Sequence, residues 1–127
     1  MIGNKIGKAG EDIAVIFLER RGFAILERNY WKPYGEIDVI CEKDSVIHFI
    51  EVKSVTSDLS SVSRERVRPE DNIHSHKLRR LGRVIQAFLS KKDFRERDWV
   101  FDVCVVRMDL VSKRASVRFI ENQVIPE

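Results

Sequence analysis

Two acids and a lysine interrupt apolar strand-like runs at spacings that permit metal-assisted hydrolysis. Asp38 stands inside Glu36-Ile37-Asp38-Val39-Ile40-Cys41, and Glu51-Val52-Lys53 ends a dense β-branched and aromatic run that starts at Val46. Alternate residues of a strand share a face, so Glu51 and Lys53 project together, roughly 7 Å apart along the backbone. A carboxylate and an ammonium at the end of an apolar row must be solvated, paired or ligated, because burying either alone is costly. If Asp38 turns toward Glu51, two hard carboxylates with room for water and a phosphate oxygen suit Mg²⁺ or Mn²⁺ better than Zn²⁺. Such an ion polarises a phosphodiester and activates water, and Lys53 would orient that water or offset charge on phosphorus. The bland alternative is a salt-bridge cluster on an open sheet; it fits poorly with so many apolar neighbours, which call for helices over the face.

Whether the acids meet depends on the turn between the two strands. A two-residue loop at Lys43-Asp44 pairs Glu42 with Ser45, Asp38 with Phe49 and Glu36 with Glu51, leaving Asp38 diagonal to Glu51. A four-residue loop, Lys43 to Val46, pairs Glu42 with Ile47 and sets Asp38 opposite Glu51. Either even loop puts Asp38, Glu51 and Lys53 on one face, with Ile37, Val39 and Cys41 on the other. A three-residue loop would separate them.

The elements that must position these residues follow from periodicity. From Lys8 to Arg21, Ala9, Ile13, Ile16 and Phe17, with Ala14 and Leu18 beside them, have helical spacing, and Gly22 supplies a stop. Phe23 opens a strand toward Tyr30, Pro33 and Gly35 break the pattern, and strands follow over Glu36 to Cys41 and Val46 to Val52. Residues 54 to 63 are short-chained and polar and read as a loop. Pro69-Glu70-Asp71 opens a second helix with the stripe Leu78, Leu81, Ile85, Phe88, Leu89, ending near Lys92. Trp99 to Val106 and Ser116 to Ile120 complete the order helix, three strands, helix, two strands. The expected fold is mixed α/β, a central sheet of about five strands flanked by helices, with 1–127 as a single domain.

Composition narrows the setting. No apolar run reaches the ~20 residues of a membrane span and the first residues lack a secretory stretch, so the expected location is cytoplasmic, with no membrane partner. Cys41 and Cys104 lie in apolar runs and are expected to be buried, reduced and inert. The net charge is only +3, but residues 64 to 97 hold eleven Lys or Arg against five acids, a local net of +6 that leaves −3 for the rest. Arg64, Arg66, Arg68 and Arg80 are therefore candidate phosphate contacts, the alternative being a solvated helix face.

Other residues carry two readings each. Glu11 shares a stripe with Ala14, Val15 and Leu18, an odd place for an acid unless it enters a polar site; otherwise it complements the helix dipole. Glu36 reads as a third acid supporting the ligands from behind, the alternative being an exposed edge residue, and Lys77 extends the stripe of Leu81, Val84 and Phe88 toward the site or snorkels to solvent. His74 and His76 fall on different helix faces and are expected to be solvated or near phosphate. Asp102 reads as a hydrogen-bonded structural acid. Trp31 and Tyr34 read as core or rim packing, with stacking on an unpaired base as the alternative.

Asp38 followed by Glu51-Val52-Lys53 resembles the PD-(D/E)xK nuclease signature, with Glu36-Ile37-Asp38 in place of the proline-aspartate step. The wider text, Gly10-Glu11, Arg28-Asn29-Tyr30, Gly35-Glu36-Ile37-Asp38-Val39-Ile40, Phe49-Ile50-Glu51-Val52-Lys53, Lys77 and Phe101-Asp102-Val103, resembles the YraN-type family of small predicted endonucleases over nearly the whole chain. That family is similar in turn to archaeal Holliday-junction resolvases. The resemblance implies a restriction-endonuclease-like fold, Asp38 and Glu51 as metal ligands, Lys53 as catalytic lysine, Glu11 as auxiliary acid and Lys77 as a phosphate contact. It also implies a homodimer acting on structured or branched DNA. Two positions depart from the family pattern: Ser54, where a basic residue commonly follows the lysine, and Val100, where an arginine often precedes Phe-Asp.

Two functions compete on this reading. One is an endonuclease that needs Mg²⁺ or Mn²⁺. The other is a catalytically inactive nuclease-fold protein serving as a DNA-binding or scaffold module; the intact acid pair argues for the first.

Overall fold

A computed structural model of the chain describes residues 2–57 and 75–123. The elements run α1 (Ile2–Arg20), β1 (Ala24–Lys32), β2 (Gly35–Lys43), β3 (Val46–Ser57), α2 (Ser75–Leu89), β4 (Trp99–Asp109) and β5 (Arg114–Ile120), with a short 3₁₀ turn at Lys92–Phe94. The strands form one sheet in the order β1-β2-β3-β4-β5. All neighbours are antiparallel except β3 and β4, which are parallel. A parallel pair needs a crossover, and the segment holding α2 supplies it. This mixed α/β architecture is consistent with a restriction-endonuclease-like fold.

The two helices bury opposite faces of the sheet. Leu81, Val84, Ile85 and Phe88 of α2 pack on Tyr30, Ile37, Ile40, Ile47, Phe49, Phe101, Val103 and Val105. Ala14, Val15 and Leu18 of α1 pack on Val39, Cys41, Ile50, Cys104 and Val106. The α2 stripe is the expected one with Val84 added. On α1 the buried face is turned: Ile16 is half exposed, while Gly10, Ala14, Val15 and Leu18 face the sheet. Both cysteines are free and buried, and burial pushes each thiol up to about 12.

Element ends differ from expectation in three places. α1 already includes Ile2. β3 runs on to Ser57, so residues 54–57 pair with Ser54↔Val106 through Ser57↔Asp109 of β4 instead of looping; residues 58–63 of the expected loop lie outside the described residues. The opening of the second helix at Pro69-Glu70-Asp71 lies outside them too.

α1 ends at the expected stop: Gly22, at φ +89°, donates to Glu19 O, and Phe23 N–H returns to Leu18 O at 3.0 Å. That pair of bonds closes the last turn, and only the left-handed glycine makes it cheap. Gly10 serves a different purpose. A Cβ there would overlap Ser54 Oγ and lie 2.9 Å from Ser54 Cβ, so the glycine lets α1 cross β3 closely. Gly10→Ala is therefore expected to cost about 1–3 kcal/mol in thermal or urea unfolding, with part of the loss recovered in a double variant with Ser54→Ala.

Candidate active site

The β2–β3 hairpin sets the distance between the acids. Glu42 pairs with Ile47 and Lys43 with Val46, so the loop is Asp44-Ser45, one residue beyond the two-residue loop considered above. Both loop residues have positive φ, 51° and 70°, the backbone of a primed hairpin turn whose twist matches its strands. The register is that of the four-residue alternative, in which Asp38 and Glu51 stand at the same level. The ladder, however, stops at Val39↔Ile50, one rung short of them.

At that point β2 changes face. Ile37 and Val39 are two residues apart and should point alike, yet Ile37 joins the α2-side core and Val39 the α1-side core. β1 does the same between Arg28 and Tyr30, where Asn29 sits at φ 54°. Arg28 turns to α1 while Tyr30 packs under α2. This crease corrects the strict alternation expected for β2. Asp38 lies within it, and its Oδ2 accepts the Val52 N–H at 2.8 Å. A strand amide points along the sheet plane, so this carboxylate occupies the gap that opens between β2 and β3.

Asp38 consequently meets groups from both sides. With Glu11, Val52 and Ser54 it walls a hollow of about 340 Å³ under the start of α1. Glu51 and Lys53 come from the neighbouring strand, Lys53 Nζ lying 3.7 Å from Glu51 Oε1. Glu51 is buried although charged. The Asp38 carboxyl is raised from 3.8 to about 7, first by burial and then by the Glu51 carboxylate, against the lowering effect of the Val52 hydrogen bond and with smaller pushes from Glu11 and Glu36. Glu36, largely exposed, is nonetheless lifted above the usual carboxylate range by partial desolvation and then by Glu11 and Glu51. Four acids thus act on one another electrostatically, as like charges in a desolvated cleft must.

Glu11 is held from outside that cleft. Its Oε1 accepts Arg28 Nε and Nη2 at 3.2 and 3.0 Å and Asn29 Nδ2 at 2.9 Å. Arg28 also reaches Asp12 Oδ1 at 2.6 Å, a bond that keeps the Asp12 carboxyl below its usual range. In the sequence Arg28 and Asn29 carry no role beyond the family resemblance. A guanidinium in a strand that precedes an Asn, the residue most tolerant of positive φ after glycine, was the available signal.

Asp102 is fully buried, with Oδ2 2.6 Å from His48 Nδ1 and Oδ1 accepting the Asn122 N–H at 2.8 Å. That matches its structural reading; the His48 partner was not anticipated. Arg80 is exposed on α2 and lines a second hollow with Trp31 and Glu36. Arg64, Arg66, Arg68 and His74 lie outside the described residues, as do the side chains of His76 and Lys77.

The donor set fits a hard divalent cation. Among the described residues no three His, Cys, Asp or Glu side chains gather closely enough to hold an ion by themselves. Mg²⁺ commonly uses only one or two carboxylates and fills the remaining positions with water and substrate oxygens. Asp38 and Glu51 would be that pair, and a cation there would relieve both the burial of the Asp38 charge and its repulsion by Glu51.

The chain is similar along almost its whole length to proteins that share one family. The model of the uncharacterised protein family UPF0102 matches residues 10–121. A UPF0102 protein of Campylobacter hominis is 36% identical over 118 residues, covering 93% of this chain and 92% of its own. One from a Sulfurovum species is 37% identical over 117 residues, 91% of this chain and 90% of its own. A Helicobacter hepaticus relative reaches 45% over 83 residues, 65% and 67% of the two chains. The chain belongs to the UPF0102 family.

Proposed function

We propose that this protein is a metal-dependent endonuclease that hydrolyses phosphodiester bonds in DNA, with structured or branched DNA favoured over plain duplex. The observation that carries the reading is the Asp38 carboxyl, which burial and Glu51 raise to about 7 at the open end of a hairpin that also bears Lys53. Burying two acids that repel each other costs stability; perturbed acids in a cleft are a mark of function. Bound Mg²⁺ or Mn²⁺ would supply Lewis-acid polarisation of the scissile phosphate and activation of water.

The protein's own groups divide the remaining work. Asp38 and Glu51 would hold the ion. Lys53 brings a positive charge beside Glu51, suited to offset charge that builds on the phosphate as water adds and one P–O bond breaks. Glu11, its charge partly balanced by Arg28, offers a fixed acceptor for a water on the α1 side. Glu36 adds negative potential from the rim. Among the described residues no helix is long and apolar enough to cross a membrane. The homodimer implied by the family resemblance belongs to this proposal and is checked by sedimentation.

The test is cleavage of linear, flapped and four-way-junction DNAs with Mg²⁺ or Mn²⁺, comparing the native chain with Glu51→Ala and Lys53→Ala. Product is expected from the native chain alone, and only with metal. DNA binding by all three proteins with cleavage by none would replace this reading with that of a non-catalytic DNA-binding module.

A further inference from the structure

Trp31 is 65% exposed, the most exposed of the large apolar side chains among the described residues. It stands near the tip of the β1–β2 hairpin, paired across the ladder with Glu36. Rim packing, expected for both aromatics here, describes Tyr34, which packs against the α2-side core and carries the Arg83 guanidinium 4.3 Å from its ring centroid. It does not describe Trp31, on whose indole no ring or cation stacks among the described residues. An indole left in water keeps a broad apolar face with a π-surface open to a ligand.

The surroundings say what kind. Trp31, Lys32, Tyr34, Glu36 and Arg80 line an open hollow of about 360 Å³. Arg80 is brought there by a close approach: Val84 Cγ2 lies 3.0 Å from where a Cβ of Gly35 would sit, so the glycine lets α2 lie on the hairpin tip. An aromatic face rimmed by two cations suits a planar base and its phosphate, because base–aromatic stacking tolerates any base and the cations follow the backbone. Two cations against the one acid, Glu36, leave the hollow a net positive rim that a phosphate would complement and a purely apolar peptide would not. Glu36, which lines the hollow and pairs with Trp31, stands two residues before Asp38 on β2. The hollow therefore lies next to the Asp38 end of the carboxylate site.

We propose that Trp31, with Lys32 and Arg80, forms a stacking subsite for one unpaired DNA base next to the carboxylate site. The inference rests on the nuclease reading for its purpose. A base seated on the indole sits outside any duplex stack, so the subsite selects DNA with an unpaired nucleotide beside the bond to be cut.

Binding decides the matter without cleavage. Fluorescence anisotropy with Ca²⁺ in place of Mg²⁺ compares a duplex bearing a thymidine flap with a blunt duplex of equal length. The native chain is expected to favour the flap, Trp31→Ala to weaken flap binding about tenfold while leaving blunt-duplex binding within about twofold, and Trp31→Phe to restore most of the loss. Flap binding should also quench tryptophan emission in the native chain, and not in Trp31→Ala, where Trp99 is the remaining indole. Unchanged flap affinity in Trp31→Ala, equal losses on both DNAs, or a native chain that binds neither would overturn the subsite. A protein that never cuts yet loses flap binding with Trp31→Ala keeps the subsite and ends the nuclease reading; one that cuts while Trp31→Ala binds flaps normally does the reverse.

Discussion

Asp38→Asn is expected to do two opposite things: slow DNA cleavage by at least about a hundredfold, and stabilise the metal-free protein above neutral pH. The first effect follows from removing one of two charges that would hold the cation. The second follows from the direction of the shift at Asp38, whose carboxyl titrates near 3.8 when unfolded and at about 7 when folded. Between those values the folded state holds more protons than the unfolded one, so stability falls as pH rises and the full cost is present above about 7. Three units correspond to at most about 4 kcal/mol. Thermal unfolding in EDTA should therefore show the native chain losing stability from pH 4 to pH 8, with a flatter profile for Asp38→Asn. Adding Mg²⁺ at pH 8 should raise the native chain's melting temperature and leave the variant's nearly unchanged, since only a ligand that prefers the folded state stabilises it. Parallel pH profiles for the two proteins would mean that neither burial nor Glu51 raises the Asp38 carboxyl in the folded state.

The second large effect concerns folding alone. Asp102→Ala is expected to destabilise by about 3–5 kcal/mol, because it strands His48 Nδ1 and the Asn122 amide, both of which Asp102 now satisfies from a fully buried position. Asp102→Asn can still accept from Asn122 and donate to a neutral His48, so its cost should be about 1–2 kcal/mol. Chemical denaturation of the three proteins gives both numbers. An Asp102→Ala cost below about 1 kcal/mol would show that water replaces the carboxylate, contrary to its burial.

Much of this architecture was legible from periodicity. The element order, the α2 stripe, the Gly22 stop and the even length of the β2–β3 loop all follow from local pattern, because helix and strand periods are imposed by the backbone itself. What escaped was set by tertiary contact. The strict alternation assigned to β2 fails at Asp38 because a left-handed Asn29 on the adjoining strand creases the sheet, and nothing in residues 35–43 announces it. The buried side of α1 was misjudged because Gly10, which has no side chain to count as apolar, is where that helix comes nearest to β3. The partnerships of Arg28 with Glu11 and of His48 with Asp102 join residues 17 and 54 positions apart, beyond any local period. Trp31 was misread for the simplest reason: composition favours a buried indole, and only coordinates reveal one left outside.

The tight Asp44-Ser45 turn has a consequence for how the molecule is assembled. Asp38, Glu51 and Lys53 all belong to one hairpin, whose closure demands little chain entropy, whereas the parallel β3–β4 ladder must first bring together segments some fifty residues apart. Mutual repulsion of the acids is thus confronted in a local pairing, while solvent still screens it, and becomes severe only as the β4 ladder and both helices dock.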